Sequence, residues 1–574
     1  MPVSISELLQ NTPYEEQFLE AQDGFPFYND SQNRTEGISF RDGYTGATEV
    51  DHIVRTKSEL QDLFPSGLSD GDVVQIDPRN TPIRTDQWLD IENSNVTVIG
   101  SGSNLDIYVA DGGNVGGFRI GQNSEVSNVS IRRVRYHGNQ PNQDQSVKAL
   151  DGVLIINANH CVVEECYISW TSPKDEHHSG GSGVTVKGGN NNRGNVIRNS
   201  RFYENGDRQI QTAGTGTRII DNHCSTTYDR SIAVNVKDPR EPNGTSYPAN
   251  YTYIKGNLCR DHSHGSGIGG NGPDDSKGHI ITQNTVRGQN KGGVVNAPRD
   301  GTGPSGWVIA NNYILQEETP IGTPVGPAIN VPPKSVAVGN VCRTVSGLSD
   351  EWDWHIFVAG TATVANNLLE SKNQSLGIYS EAPVQIEDNT LIGFNVGIRT
   401  EDFATNPTQI IGNNFRETYD TGIIVGDSQD FHTIRQNDYH KDNSSNYFVD
   451  ARGRSQYSGI LVMEGNYDNP GRGYTFSNST PAQYDNNVPP IWEQEAAALS
   501  VSSGGAQTLT LNNFSLGDIP EVELVPNSSG NDTEFQVDAI MWDDANNDLK
   551  VRIIEKADAG GGTVLVRIRR KYPR

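Results

Sequence analysis

The chain has 574 residues and a mass of 62.6 kDa, with 71 Asp and Glu against 45 Lys and Arg, a formal net charge of −26 and a pI near 4.8. An acidic surface of that kind repels phosphate, which excludes nucleic acid and anionic membranes as partners. With 61 Gly, 28 Pro and only 3 Met, the composition favours short strands and turns over long helices, and no apolar run approaches the roughly 20 residues of a membrane helix.

Residues 1–50, which include SELLQ and EEQFLE, read either as an adaptor or attachment segment or as a frayed terminus. The opening MPVSISELLQNTPYEEQFLE has neither the charged and apolar regions of a secretory signal nor a twin-Arg, so either an export signal is missing from this sequence or the protein leaves the cell another way, of which release within a particle by lysis is one. In residues 51–124, Thr56 or Ser58 can cap a short helix with Leu60, Leu63 and Phe64 on one face. Such a helix suits the end of a repetitive stack, whose apolar cross-section must be covered, and the first coils follow it.

Residues 125–470 carry an internal repeat. Asn followed two positions later by an apolar residue recurs at Asn222, Asn257, Asn284, Asn312, Asn340, Asn367, Asn389, Asn413 and Asn437, at spacings of 22 to 35. Each is preceded by a β-branched stretch such as IIDN or VIANN, and most repeats add a second strand that begins Gly-Ile or Gly-Val, as at Gly183-Val184, Gly267-Ile268 and Gly397-Ile398. Short strands at this period without helical spacing predict a parallel β-solenoid. The Asn column is expected to hold a left-handed turn position and to stack its amides from coil to coil. Cys166, Cys224, Cys259 and Cys342 are expected to fill the apolar slot after the turn as small hydrophobes, and no disulfide is expected between Cys161 and Cys166. A Pro- and Asn-rich stretch makes 471–496 a linker. Residues 497–574 alternate with period 2 between SSGG, NSSGND, DANND and DAGGG turns, which predicts a C-terminal antiparallel β-sandwich.

This organisation resembles the right-handed parallel β-helix, pectate-lyase-like superfamily, and within it the tailspikes of tailed viruses. The fold class expected from the resemblance is all-β: a right-handed parallel β-helix with an N-terminal helix cap and a C-terminal β-sandwich. It implies a homotrimer at the virion surface, joined to other virion proteins through the N-terminus. It also implies recognition, with or without depolymerisation, of a host cell-surface polysaccharide or glycoprotein glycan. With 14 Lys against 31 Arg and abundant Asp, the composition points to high salt, where screening removes self-repulsion, and so to a halophilic host. A free secreted polysaccharide hydrolase or lyase and a purely structural decoration protein are the alternatives.

Chemistry concentrates between about residues 170 and 300. The segments ENGDRQIQT, TYDRSIAVN and HSHGSGIGG align as successive coils, so Asp207-Arg208 and Asp229-Arg230 are expected at matched positions with His264 a coil further on. Two carboxylates at coil spacing suit a glycosidase, and their mutual repulsion raises one pKa as a general acid requires. The stretch is similar to the polygalacturonase pattern Asn-x-Asp, Asp-Asp with an Ala-aliphatic-Asn strand, and Gly-His-Gly, here met by Asn205-Gly206-Asp207, by Asp229-Arg230 followed by Ala233-Val234-Asn235, and by Ser263-His264-Gly265. The resemblance implies Asp229 as general acid, Asp207 as water-activating base and His264 in support. Arg230 stands where the pattern has its second Asp, and its later Arg-aliphatic-Lys motif is absent. Asn205, Arg208, Arg230, Asn235, Lys237 and Lys291 are the candidate substrate-binding residues. Lys237, Lys291 or Arg230 also supplies the base that a lyase needs. The Arg pair either holds an anionic sugar or neutralises the two Asp. No cofactor is required; Asp274-Asp275 and Asp175-Glu176-His177-His178 are the only stretches with ligand-like composition for Ca²⁺ or Mg²⁺. Trp170, Trp352 and Trp354 read either as sugar platforms or as packed rings.

Overall fold

A computed structural model describes residues 49–571, except for segments of which the longer are 145–149, 172–180, 235–248, 272–275, 298–304, 319–325, 402–407, 427–431, 441–447, 452–460 and several beyond 470, and for shorter ones including 207, 228–229, 263–264 and 290–291. Of the adaptor segment expected at 1–50, all but the last two residues lie outside the described residues. Two compact units divide the chain, Met1–Ser375 and Leu376–Arg574.

The first unit is a parallel β-helix. Strands of three to six residues recur in threes, and each pairs in parallel with its counterpart one coil away. A first sheet runs from His52–Val54 to Ala362–Ala365, a second from Ile83–Thr85 to Leu368–Glu370, and a third from Leu89–Ile91 to Trp354–Val358. Three-residue strands alternate, so in Thr97–Ile99 or Ser130–Arg132 only the middle side chain is buried. Stacked coils bury columns of aliphatic side chains such as Val98, Ile131, Val163, Ile197, Ile219 and Ile254, each at 1% exposure or less, and this continuous column is the core. At the start, Lys57–Leu63 is helical, with a capping box in which Glu59 N–H donates to the Thr56 hydroxyl and Thr56 N–H donates to the Glu59 carboxylate. Its Leu60 and the following Phe64 are fully buried, and Phe64 meets Phe118 of the third sheet edge-on at 6.2 Å. No helix among the described residues is long and apolar enough to cross a membrane.

The second unit contains three further parallel runs, beginning at Leu376–Ser380, Val384–Glu387 and Thr390–Ile392 and ending at Tyr474–Phe476, Ala482–Asp485 and Tyr467–Asn469. Beyond them are two three-stranded antiparallel sheets: Gln494–Val501 and Ile519–Pro526 flank Gly562–Lys571, and Ala506–Leu511 and Phe535–Asp543 flank Asp548–Glu555.

The Asn column stacks as expected. Asn257 N–H and Nδ2 both donate to Asn284 Oδ1, at 3.0 and 2.9 Å, while Nδ2 also donates to Ile219 O of the coil before. The same pattern links Asn222 through Asn367 in the first unit, and Asn389 through Asn437 to Asn466 in the second. The left-handed residue is the one before each Asn, as at Asp221, Gln283, Asn311 and Gly339 with φ of 54°, 56°, 55° and 66°. The Asn itself is thereby turned inward, which frees its amide to bridge coils. Cys224, Cys259 and Cys342 fill the strand slot, in register with Phe202, Val286, Ile314 and Leu369. Cys166 instead sits in the turn slot of the Asn column, where its N–H donates to Ser200 Oγ and Ser200 N–H donates to Asn222 Oδ1. All five cysteines are buried free thiols, and burial pushes those of Cys161 and Cys166 up to about 12, so they are inert as nucleophiles.

Candidate functional site

The third sheet differs from the other two where the sequence concentrates its polar residues. Strands Val153–Ile155, Val184–Val186, Ile210–Thr212 and Ile232–Val234 bury all three residues, including the outward-facing middle one. The outward column begins with an ion pair, Arg119 to Asp90, which also meets at Nη2···Oδ2 2.8 Å. It continues through Leu154, Thr185, Gln211 and Ala233, in register.

The corner that leads into this sheet is polar. The same registers extend two residues back to align Asp151, Ser182, Arg208 and Arg230. Asp151 is fully buried and accepts from Ser182 N–H at 2.8 Å and from the Thr185 hydroxyl at 2.9 Å. Arg208, at 8% exposure, donates from Nη1 to Gln211 Oε1 at 3.0 Å, which ties its guanidinium to the outward-facing column of the sheet. Arg230 is half-buried on the next coil.

Between corner and strand most coils have Gly, because the interior leaves no room for a Cβ. At Gly183 it would lie 2.5 Å from Phe202 Cδ1 and 2.7 Å from Gln209 O. The two coils bearing the Asp-Arg pair replace that Gly with Gln209 and Ser231. Buried Gln209 donates from Nε2 to Ser225 O and Thr226 O at 2.8 and 3.1 Å, and accepts from Asn205 Nδ2, so it pins the corner on which Arg208 stands. Ser231 Oγ is buried without a hydrogen bond.

Of the residues singled out from sequence, Asn205, Arg208 and Arg230 are described. Asn205 is buried and spends its amide inside the coil, donating to Ile168 O and accepting from Thr171 N–H. Arg208 and Arg230 share the corner column. The register Ile210↔Ile232 is an offset of 22 residues, the same that separates Arg208 from Arg230 and Asp207 from Asp229 in the sequence. Asp207, Asp229, His264, Asn235, Lys237 and Lys291 lie outside the described residues, as do Asp175-Glu176-His177-His178 and Asp274-Asp275. Among the described residues no three His, Cys, Asp or Glu are grouped to hold a metal. Sequence reading missed Asp151, Thr185, Gln209 and Gln211. The signal for Gln209 was present, since Gln209-Ile210 and Ser231-Ile232 interrupt the Gly-aliphatic column.

Trp352 is fully buried, edge-on to His355 at 5.3 Å. Trp170 is half-exposed and stacks on His137 at 6.1 Å, which stacks on Tyr108 at 5.0 Å, with Arg84 5.4 Å from the Tyr108 centroid. These rings cover one another along the coils.

No family model matches the chain, and no curated protein does. Among solved structures, a double mutant of the tailspike of E. coli bacteriophage HK620 in complex with pentasaccharide is 10% identical over 90% of this chain and 89% of its own, with a TM-score of 0.49. The tailspike gp49 of Pseudomonas phage LKA1 is 10% identical over 89% and 92%, at 0.31. The catalytic domain of a GH87 alpha-1,3-glucanase in complex with nigerose is 10% identical over 72% and 69%, at 0.39. All three scores lie below 0.5, and the functional reading below rests on the chain's own residues.

Proposed function

We propose that this chain is a virion spike or fibre protein that binds a host cell-surface glycan along the outward side of the third sheet and hydrolyses it there. The observation that carries the reading is the 22-residue register between Ile210–Thr212 and Ile232–Val234, because the same offset matches Asp207-Arg208 to Asp229-Arg230. A carboxylate pair on successive coils, whose backbones lie about 4.8 Å apart, repels so that one acid stays protonated and the other ionised; activation of water by the second requires the two carboxyl groups to splay to about 6.5–9.5 Å. In this reading Asp229 protonates the leaving oxygen, Asp207 activates water, His264 supports them, and Arg208 and Arg230 hold an anionic group of the sugar. Asn235, Lys237 and Lys291 are assigned to substrate binding in the same reading. Homotrimeric assembly, a helix that closes the first coil, a C-terminal sandwich and attachment through residues 1–50 belong to the same proposal, as does the virion surface of a halophilic host.

Purified chain incubated with host surface polysaccharide should release reducing ends without absorbance at 235 nm, the mark of elimination. Asp229→Asn should lower turnover by about 100-fold or more while binding persists; undiminished turnover would remove Asp229 as the acid. A second reading, binding without cleavage, is favoured by Arg230 standing where the polygalacturonase pattern has an Asp. It requires that wild type release no reducing ends. Presence of the chain in purified particles separates a spike from a free enzyme.

A further inference from the structure

The second sheet presents a different surface from the one just described. Arg135, Tyr167, Arg201 and His223 follow one another in register on four consecutive coils. Tyr203 faces outward two residues beyond Arg201 in the strand Arg201–Tyr203, where only Phe202 is buried. Tyr167 and Tyr203, at 36% and 37% exposure, are the only large hydrophobics exposed among the described residues besides Ile53. The arginines nearby are paired: Arg132 and Arg198 with Glu164, Arg133 with Glu165, Arg260 with Asp261, Arg287 with Glu317 and Arg343 with Glu370. Exposed Arg201 makes no ion pair among the described residues. In a chain with 26 more acidic than basic groups, a guanidinium left without a carboxylate between two exposed tyrosines is conspicuous. His223, next in the column, is half-buried, with Nε2 turned away from solvent.

We infer that Arg135, Tyr167, Arg201, Tyr203 and His223 form a second binding surface on the solenoid, for an acidic oligosaccharide. Tyrosine rings present apolar faces to the C–H faces of sugar rings while their edges stay wet. The planar guanidinium of Arg201 matches a uronate carboxylate bidentately. Four coils span about 14 Å at strand spacing, so successive sugars of a polymer can lie along the axis. Charge complementarity selects an acidic glycan over a second copy of this acidic chain. The inference rests on the glycan reading above but uses different residues from it.

Affinity electrophoresis of the full chain through gels containing polygalacturonate, alginate or hyaluronan, with dextran as the neutral control, tests it. Wild type should be retarded by at least one acidic polymer, and Arg201→Gln and the double change Tyr167→Ala, Tyr203→Ala should each weaken that retardation at least tenfold, with unchanged melting curves. Rising salt should erode the arginine's share first. Retardation by none of the acidic polymers overturns the inference, as does wild-type retardation of both variants. If the variants change oligomeric state and not retardation, the surface is an interface between copies and the inference fails. Turnover at the third sheet that survives Arg201→Gln shows that the proposed function stands apart from this surface.

Discussion

His279 lies wholly buried at a corner of the solenoid, where its Nδ1 accepts the Thr252 N–H at 3.1 Å and its ring meets Trp307 edge-on at 4.9 Å. Burial pulls its pKa down from 6.5 to about 3. Between those values the unfolded chain binds a proton that the folded chain refuses, so stability rises with pH across the window and is lost as pH falls from about 6.5 towards 3. The upper bound for this one group is roughly 4–5 kcal/mol. His279→Gln keeps an acceptor for Thr252 and should flatten the slope of unfolding free energy between pH 6.5 and 4 by about one proton, measured by urea titration. An unchanged slope would show that His279 is not the group responsible. Nothing in the sequence marked His279, because its slot is taken by Cys161, Asn195, Thr217, Thr252, Trp307 and Ser335 on other coils, and a corner so tolerant of side chains leaves no motif. The Asp-Arg pairs were legible for the opposite reason: repetition at one offset is visible without any structure. Which surface Arg201 serves was hidden, since it depends on the absence of a carboxylate that only three-dimensional neighbours reveal.

Among the elements, the Asn ladder is the one whose loss should be felt most. Asn312 Oδ1 accepts both the N–H and the Nδ2 of Asn284, and its own Nδ2 donates to Asn340 Oδ1 and Ile281 O. Replacing it with Ala leaves buried donors and acceptors on two neighbouring coils without partners, at about 1–3 kcal/mol for each group. Asn312→Ala should therefore lower unfolding free energy by roughly 2–5 kcal/mol, whereas Asn414→Ala, on a strand flank outside the ladder, should cost well under 1 kcal/mol. Equal effects would mean that the ladder adds nothing beyond strand pairing. This element was read correctly from the sequence because an amide in a stack must recur at every coil to be satisfied. Its backbone was misplaced by one residue, because several coils put Asn both in the left-handed position and after it, as in Asn311-Asn312 and Asn366-Asn367. Cys166 was misread for a related reason: the slot tolerates a small non-amide side chain, and sequence does not separate turn from strand at a distance of two residues. The Gly-aliphatic pairs were recognised as strand starts, but their cause, a Cβ driven into the facing ring or carbonyl, belongs to packing.

For the whole molecule the decisive quantity is charge. Even if every one of the 45 cations were paired with a carboxylate, 26 acidic groups would remain uncompensated, and the pairs that do form are mostly at the surface, as between Arg133 and Glu165 or Arg287 and Glu317. Salt acts on both. It weakens surface pairs worth under about 1 kcal/mol each, and it screens the repulsion among the excess carboxylates once the Debye length falls from about 10 Å at 0.1 M to about 3 Å at 1 M. The excess decides the sign, so the melting temperature should rise as NaCl is raised from about 0.1 to 2 M, with most of the gain in the first molar step. Lowering the pH to about 5 at low salt should not reproduce it, because ordinary carboxylates remain ionised there and the buried histidines begin to oppose folding. A melting temperature that is flat or falls with NaCl would mean that the ion-pair ladders outweigh the net charge, and would leave the acidic composition without the salt-rich setting assigned to it.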